Sequence, residues 1–177
     1  CSSDLVKMAY VALVNGDTDA ILRAKMNAAY LSIDNTEIAT RRTTVKKTCA
    51  TPVTQNLFTI SGGAVKIISI VGHITTAIAA GANNTKLVYT STGGAAVDLC
   101  AVLDIASAAI RKLLTITGVK VNAMAVSADE GVVVNAVATA PIIVTPGILS
   151  LNCSAGTTGV IDWHITYEPM AVGAIIT

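Results

Sequence analysis

From Ile161 to Glu168 apolar and polar residues alternate without a break: Ile161, Trp163, Ile165 and Tyr167 hold one parity, Asp162, His164, Thr166 and Glu168 the other. Successive side chains of a strand point to opposite faces, so this period predicts a strand with one packed and one polar face. Just upstream, residues 131–161 carry no charged side chain. A run that apolar has the make-up of a membrane helix, but Asn135, Pro141, Pro146, Gly147, Asn152 and Gly156 cut it into pieces of strand length. The same reading predicts strands at 57–60, 86–90, 97–103, 119–126, 132–137, 142–144, 148–153 and 160–167, and a long strand through 68–78. In that long strand Ile68, Ile70, Ile74 and Ile78 share one face and Ser69, His73 and Thr75 the other. Turns are expected at Ser61-Gly62-Gly63, at Gly81-Ala82-Asn83-Asn84 and at Ser91-Thr92-Gly93-Gly94. Residues 103–114 are Ala-rich and fit either a short helix or a connection between strands.

The first third of the chain differs. Asp17-Thr18-Asp19 precedes Ile21, Ala24, Ala28 and Leu31 at helical spacing, which predicts a short amphipathic helix with acidic residues at its start. Residues 1–56 hold 12 of the 23 charged side chains. The chain therefore reads as mainly β: an antiparallel β-sandwich or jelly-roll-like domain over 57–177, with a more charged N-terminal arm or short helical segment over 1–56. No internal repeat stands out.

Composition narrows the picture. The chain has 177 residues, is 53% hydrophobic and only 3% aromatic, so its core is built from Val, Ile, Leu and Ala, which favour strands. Charged residues make up 13%, which is low for a monomer that stays soluble alone, and implies surface buried against copies or partners. A net charge of +1 gives no general attraction to nucleic acid or anionic membrane. Cys1, Cys49, Cys100 and Cys153 lie far apart with no nearby histidine at metal-ligand spacing, so buried thiols are favoured over bridges and a zinc site is not expected. Cys1 at the start fits the mature end of a lipid-anchored envelope protein, or more simply an arbitrary boundary.

The candidate chemistry is thin. Arg41-Arg42-Thr43-Thr44-Val45-Lys46-Lys47 is the basic cluster; without interleaved aromatics it is a poor nucleic-acid contact, and Arg41, Arg42, Lys46 and Lys47 are better placed as contacts to an acidic protein surface. His73 and His164 are the two histidines, too few for a metal site. Asp162 and His164 share a strand face, but no G-x-S-x-G elbow supplies a nucleophile. Asp129 and Glu130 are adjacent, and neighbours on an extended chain point apart. The Gly-Gly turns do not lead into a phosphate-binding helix. Asn83-Asn84-Thr85 and Asn152-Cys153-Ser154 match a glycosylation pattern that recurs by chance. Tyr89 is the one candidate for an exposed loop aromatic. No enzymatic activity and no cofactor are expected.

Four segments in order, Phe58-Thr59-Ile60-Ser61-Gly62-Gly63, Ile67-Ile68-Ser69-Ile70-Val71-Gly72, Asp98-Leu99-Cys100 and Trp163-His164-Ile165-Thr166-Tyr167-Glu168-Pro169-Met170, resemble small β-rich proteins encoded among the virion genes of tailed bacteriophages. Met170 stands where those proteins usually carry Leu, and residues 1–56 lie outside the resemblance. It implies a structural virion component, a head decoration or cement protein that binds the major capsid protein or other virion proteins. Such a component is carried on the capsid surface and assembled in the host cytoplasm; the scarcity of charge adds the expectation of a homo-oligomer, threefold capsid symmetry that of a trimer, and the net charge of +1 that of no nucleic acid or membrane partner. Two alternatives are a tail, neck or fibre component and a lipid-anchored or secreted β-sandwich adhesin.

Overall fold

The computed structural model describes residues 40–48, 54–132 and 140–177. They lie in one compact unit, Thr40–Thr177, and form twelve strands with no helix. One sheet runs β1 (Arg41–Thr48), β11 (Val160–Pro169), β3 (Val65–Thr76), β7 (Leu113–Thr115), β8 (Ala125–Val126), with β9 (Ile142–Val144) also paired to β3. The other runs β12 (Ile175–Ile176), β2 (Thr54–Ser61), β10 (Gly147–Cys153), β4 (Asn84–Ser91), β5 (Ala96–Asp98), with β6 (Leu103–Asp104) also on β4. All pairings between these strands are antiparallel. The chain changes sheet at β1 to β2, β2 to β3, β3 to β4, β6 to β7 and from β9 onward at every connection, so both sheets contribute to one core.

That core is aliphatic. Ile70, Ile74, Leu114, Ile161 and Ile165 from the first sheet join Phe58, Ile60, Leu87, Leu149 and Leu151 from the second, around Trp163. Each such side chain, fully buried, contributes about 1.5–3 kcal/mol of apolar transfer. β11 behaves as its alternation predicts: Ile161, Trp163, Ile165 and Tyr167 are buried, and Asp162, His164, Thr166 and Glu168 are half-exposed.

Three register shifts interrupt the pairing, one of them at Thr75 near the end of β3, and the other two change which side chains face inward. In β3 the partner of Tyr167 is Ile67 and that of Thr166 is Ser69, so Ile68 is an extra residue. The inward parity switches there: Val65 and Ile67 are buried ahead of the bulge, Ile70 and Ile74 after it, and Ile68 is only half-buried. Ile68 therefore does not share the packed face with Ile70 and Ile74. In β2, Leu57 is extra between the Asn56–Ser150 and Phe58–Leu149 pairs, which lets two consecutive residues, Leu57 and Phe58, both reach the core.

Two expected elements differ, and one left open is decided. The strand over 97–103 is two short strands, because the chain turns Cys100 inward where its Sγ accepts the Leu87 N–H at 3.4 Å. Over 119–126 the strand is reduced to Ala125–Val126 and a single parallel bridge from Ala123 to Ala101; Gly118 at φ 80 and the Asn122 N–H to Val119 carbonyl bond bend the chain into a turn. Of the two readings open for 103–114 the structure has the connection, over residues 105–112 between β6 and β7, since Ser107 (φ 57) and Arg111 (φ 71) are left-handed and stop a helix. The boundary expected at residue 57 falls inside β2, and Arg41–Thr48 is a strand of the first sheet. The helix expected after Asp19, all but Val132 of the strand expected at 132–137, Cys1 and Cys49 lie outside the described residues.

Candidate partner-binding site

The four basic residues of the expected contact all fall on β1, where the pleat divides them. Arg42, Thr44 and Lys46 are exposed on the outer face, opposite Thr166, His164 and Asp162 of β11. Arg41 and Lys47 alternate with them on the side of Thr43 and Val45, opposite Tyr167 and Ile161, and Val45 packs on the core. Lys46 Nζ stands 4.0 Å from Asp162 Oδ1, an ion pair beyond hydrogen-bond reach, so that enclosed oxygen accepts no hydrogen bond. Thr44 Oγ1 and His164 Nδ1 share a 2.9 Å hydrogen bond whose direction follows the ring tautomer. His73 of β3 lies across from Asp162. The sequence alone placed Asp162 and His164 on one face; it did not bring Thr44, Lys46 and His73 to them, because register between distant strands is not written in either strand.

Among the described residues no carboxylate hydrogen-bonds His164, so nothing orients the ring as a base beside the Thr44 hydroxyl. Among the described residues no group of three or more His, Cys, Asp or Glu is placed to hold a metal ion. Asp129 and Glu130 are both exposed; the Glu130 carboxylate sits 3.7 Å from Arg111, and the Asp129 backbone carbonyl accepts the Ser127 hydroxyl. Tyr89 is not a loop aromatic; it packs against the core and its hydroxyl donates to the Thr145 carbonyl at 2.7 Å. Asn83 is buried in its turn, and the Asn152 amide donates to Thr54 Oγ1 at 2.8 Å, so both glycosylation-like motifs are taken up by the fold. Cys100 and Cys153 are both buried. Burial, aided by the Asp98 carboxylate, pushes the Cys100 thiol above its ordinary 9.0, against the Leu87 and Met124 N–H groups that lower it. Among the described residues no helix is long and apolar enough to cross a membrane.

A second surface lies where β2 meets β3 and β11 meets β12. Ser61 pairs with Ile175, Val65 with Pro169 and Val144, and the Thr92 N–H donates to the Pro146 carbonyl, which gathers four turns at one end of the sheets. Gly62 (φ 73) is pressed so closely that a Cβ there would lie 2.0 Å from the Gly173 carbonyl oxygen. Segments 61–65, 91–97, 140–148 and 170–177 contain no charged residue. Ile143, Met170, Val172 and Ile175 are exposed there, Val172 by 72%. The nearest charged residues along these strands are paired, Lys66 with Glu168 at 3.0 Å and Lys86 with Asp98 at 2.8 Å.

No protein-family model, no curated protein and no solved structure matches this chain.

Proposed function

We propose that this chain is a structural protein of a tailed-phage virion, a decoration or cement protein that binds the assembled head shell and stabilises it. The observation that carries the reading is the charge-free end, where exposed Ile143, Met170, Val172 and Ile175 are flanked by ion pairs that leave no net charge to repel a neighbour. Two antiparallel sheets around one aliphatic core suit a β-sandwich of jelly-roll kind, which is rigid and presents loops at its ends. The apolar end packs copies of the chain about a threefold axis as a trimer, and β1, with Arg41, Arg42, Lys46 and Lys47, faces the capsid protein. The mechanism is mass action: a protein that binds only the assembled shell shifts the balance against its disassembly. Nothing in this role calls for a catalytic group, a cofactor, nucleic acid or a membrane.

Electron microscopy with gold-labelled antibody against the purified chain tests it. Label is expected over the heads of intact particles that carry the gene. Label confined to tails assigns the chain to a tail, neck or fibre, and unlabelled particles overturn the virion reading altogether. The engaged position of Tyr89 gives a glycan-binding fibre no aromatic platform at that residue.

A further inference from the structure

We infer that β1 is a docking edge for an added strand, supplied by an acidic extended segment of a partner protein. This deepens the reading of the basic strand as the partner contact and does not require that partner to be a capsid. Among the described residues the two sheets end in strands of very unequal length. β8, β12, β5 and β6 have two or three residues each, whereas β1 has eight, with β11 as its neighbour on one side. An edge strand of that length turns alternate N–H and C=O groups away from its sheet, a ready template for one more strand.

The side chains of β1 decide which strand fits. Arg42 and Lys46 are exposed on the outer face with Thr44 between them. A second copy is a poor occupant. Antiparallel pairing of β1 with itself about Thr44 sets Arg42 against Lys46 and Arg41 against Lys47, and a shift by one sets Arg42 against Lys47. Like charges directly opposite destabilise a pair of strands. A strand with acidic residues four apart meets Arg42 and Lys46 instead, and apolar residues next to each acid fall beside Thr43 and Val45 on the core side. On the side already paired, the same chemistry operates: Asp162 is the residue opposite Lys46. The recognised pattern is therefore acid, apolar, any, apolar, acid, in an extended peptide. A nucleic acid strand offers no backbone N–H row to pair and finds no aromatic on β1 to stack against.

The test is fluorescence anisotropy on the full chain with a labelled peptide Thr-Glu-Val-Thr-Val-Glu-Thr. Its controls are a Lys-for-Glu version and a version N-methylated at alternate residues. Binding of the Glu peptide is expected, with loss of binding for both controls and increased amide-exchange protection along β1. In R42E/K46E, whose substitutions lie on exposed positions, Glu-peptide binding should fall roughly tenfold and the Lys version should bind instead. Intact folding of the variant is read from Trp163 fluorescence. Equal binding of the N-methylated peptide, or no binding of the Glu peptide to the folded chain, overturns strand addition. A chain that labels phage heads yet ignores the peptide sinks this inference alone, and one that takes the peptide but is missing from particles sinks only the virion reading.

Discussion

Gly72 sits in the middle of β3 directly across from Trp163, and the two are fitted to each other. A Cβ at Gly72 would lie 3.0 Å from Ile161 Cγ2 and from Trp163 Cζ3 and Cη2, all on side chains with no exposure and no room to yield. Gly72→Ala is expected to cost about 1–3 kcal/mol, the usual range for overpacking a tight core. Trp163→Phe removes the ring atoms that collide and also a buried indole N–H that has no acceptor. The cost of G72A should therefore shrink in the W163F background, which urea denaturation followed by far-ultraviolet circular dichroism measures as a coupling energy of the double-mutant cycle. Additive costs would mean that the contact with Ile161 or the Gly72 backbone, and not the Trp163 ring, sets the cost. Alternation told which way Trp163 points; nothing in either segment told that a glycine opposes it, since that is a property of the pairing.

At the scale of elements, the long strands with an unbroken period were readable and the irregular ones were not. β11 alternates through all of Ile161 to Glu168, so one parity suffices, whereas the bulge at Ile68 makes β3 a strand of two parities that no single period fits. Between β6 and β7, the low-charge, Ala-rich composition leaves helix and connection equally open, and backbone dihedrals decide. Ser107 holds φ 57, a region that costs a non-glycine residue about 1–2 kcal/mol. Ser107→Gly should raise stability by about 0.5–1 kcal/mol after the entropy of the unfolded glycine is counted, seen as a higher urea midpoint at unchanged slope. A lower midpoint would show that the Ser107 side chain itself holds the connection. The start of this connection also carries a pH dependence. The Asn83 and Ala106 N–H groups both donate to Asp104 Oδ1 at 2.9 Å, and hold its carboxyl below the ordinary 3.8. A lowered carboxyl contributes stability above the ordinary value, and that contribution is lost as pH falls through the folded-state value. Exchange protection of the Asn83 and Ala106 amides should drop at acid pH in the native chain and stay flat in Asp104→Asn, which keeps an acceptor that does not titrate.

For the molecule as a whole, the question is where it can tolerate a neighbour. The sequence conveyed that charge is scarce, and the fold adds where it is missing: four turns, distant along the chain, meet at one end because β2, β3, β10 and β11 begin or finish there. No linear reading collects Ile143, Met170, Val172 and Ile175 into one region. A stable interface needs about 800 Å² per partner with an apolar centre and paired charges at its rim, and this end provides the apolar residues with Lys66–Glu168 and Lys86–Asp98 at its margin. If copies assemble through it, two carboxylates placed there must be buried without partners, at a cost of several kcal/mol each. Met170→Asp/Val172→Asp is therefore expected to convert an oligomer of the native chain into monomers in multi-angle light scattering. Trp163 stays buried in that variant, since both positions are exposed and outside the core. A native chain that runs as a monomer, or a variant that keeps its oligomeric mass, would remove this end as the self-assembly surface, and with it the main physical support for a role in building a shell.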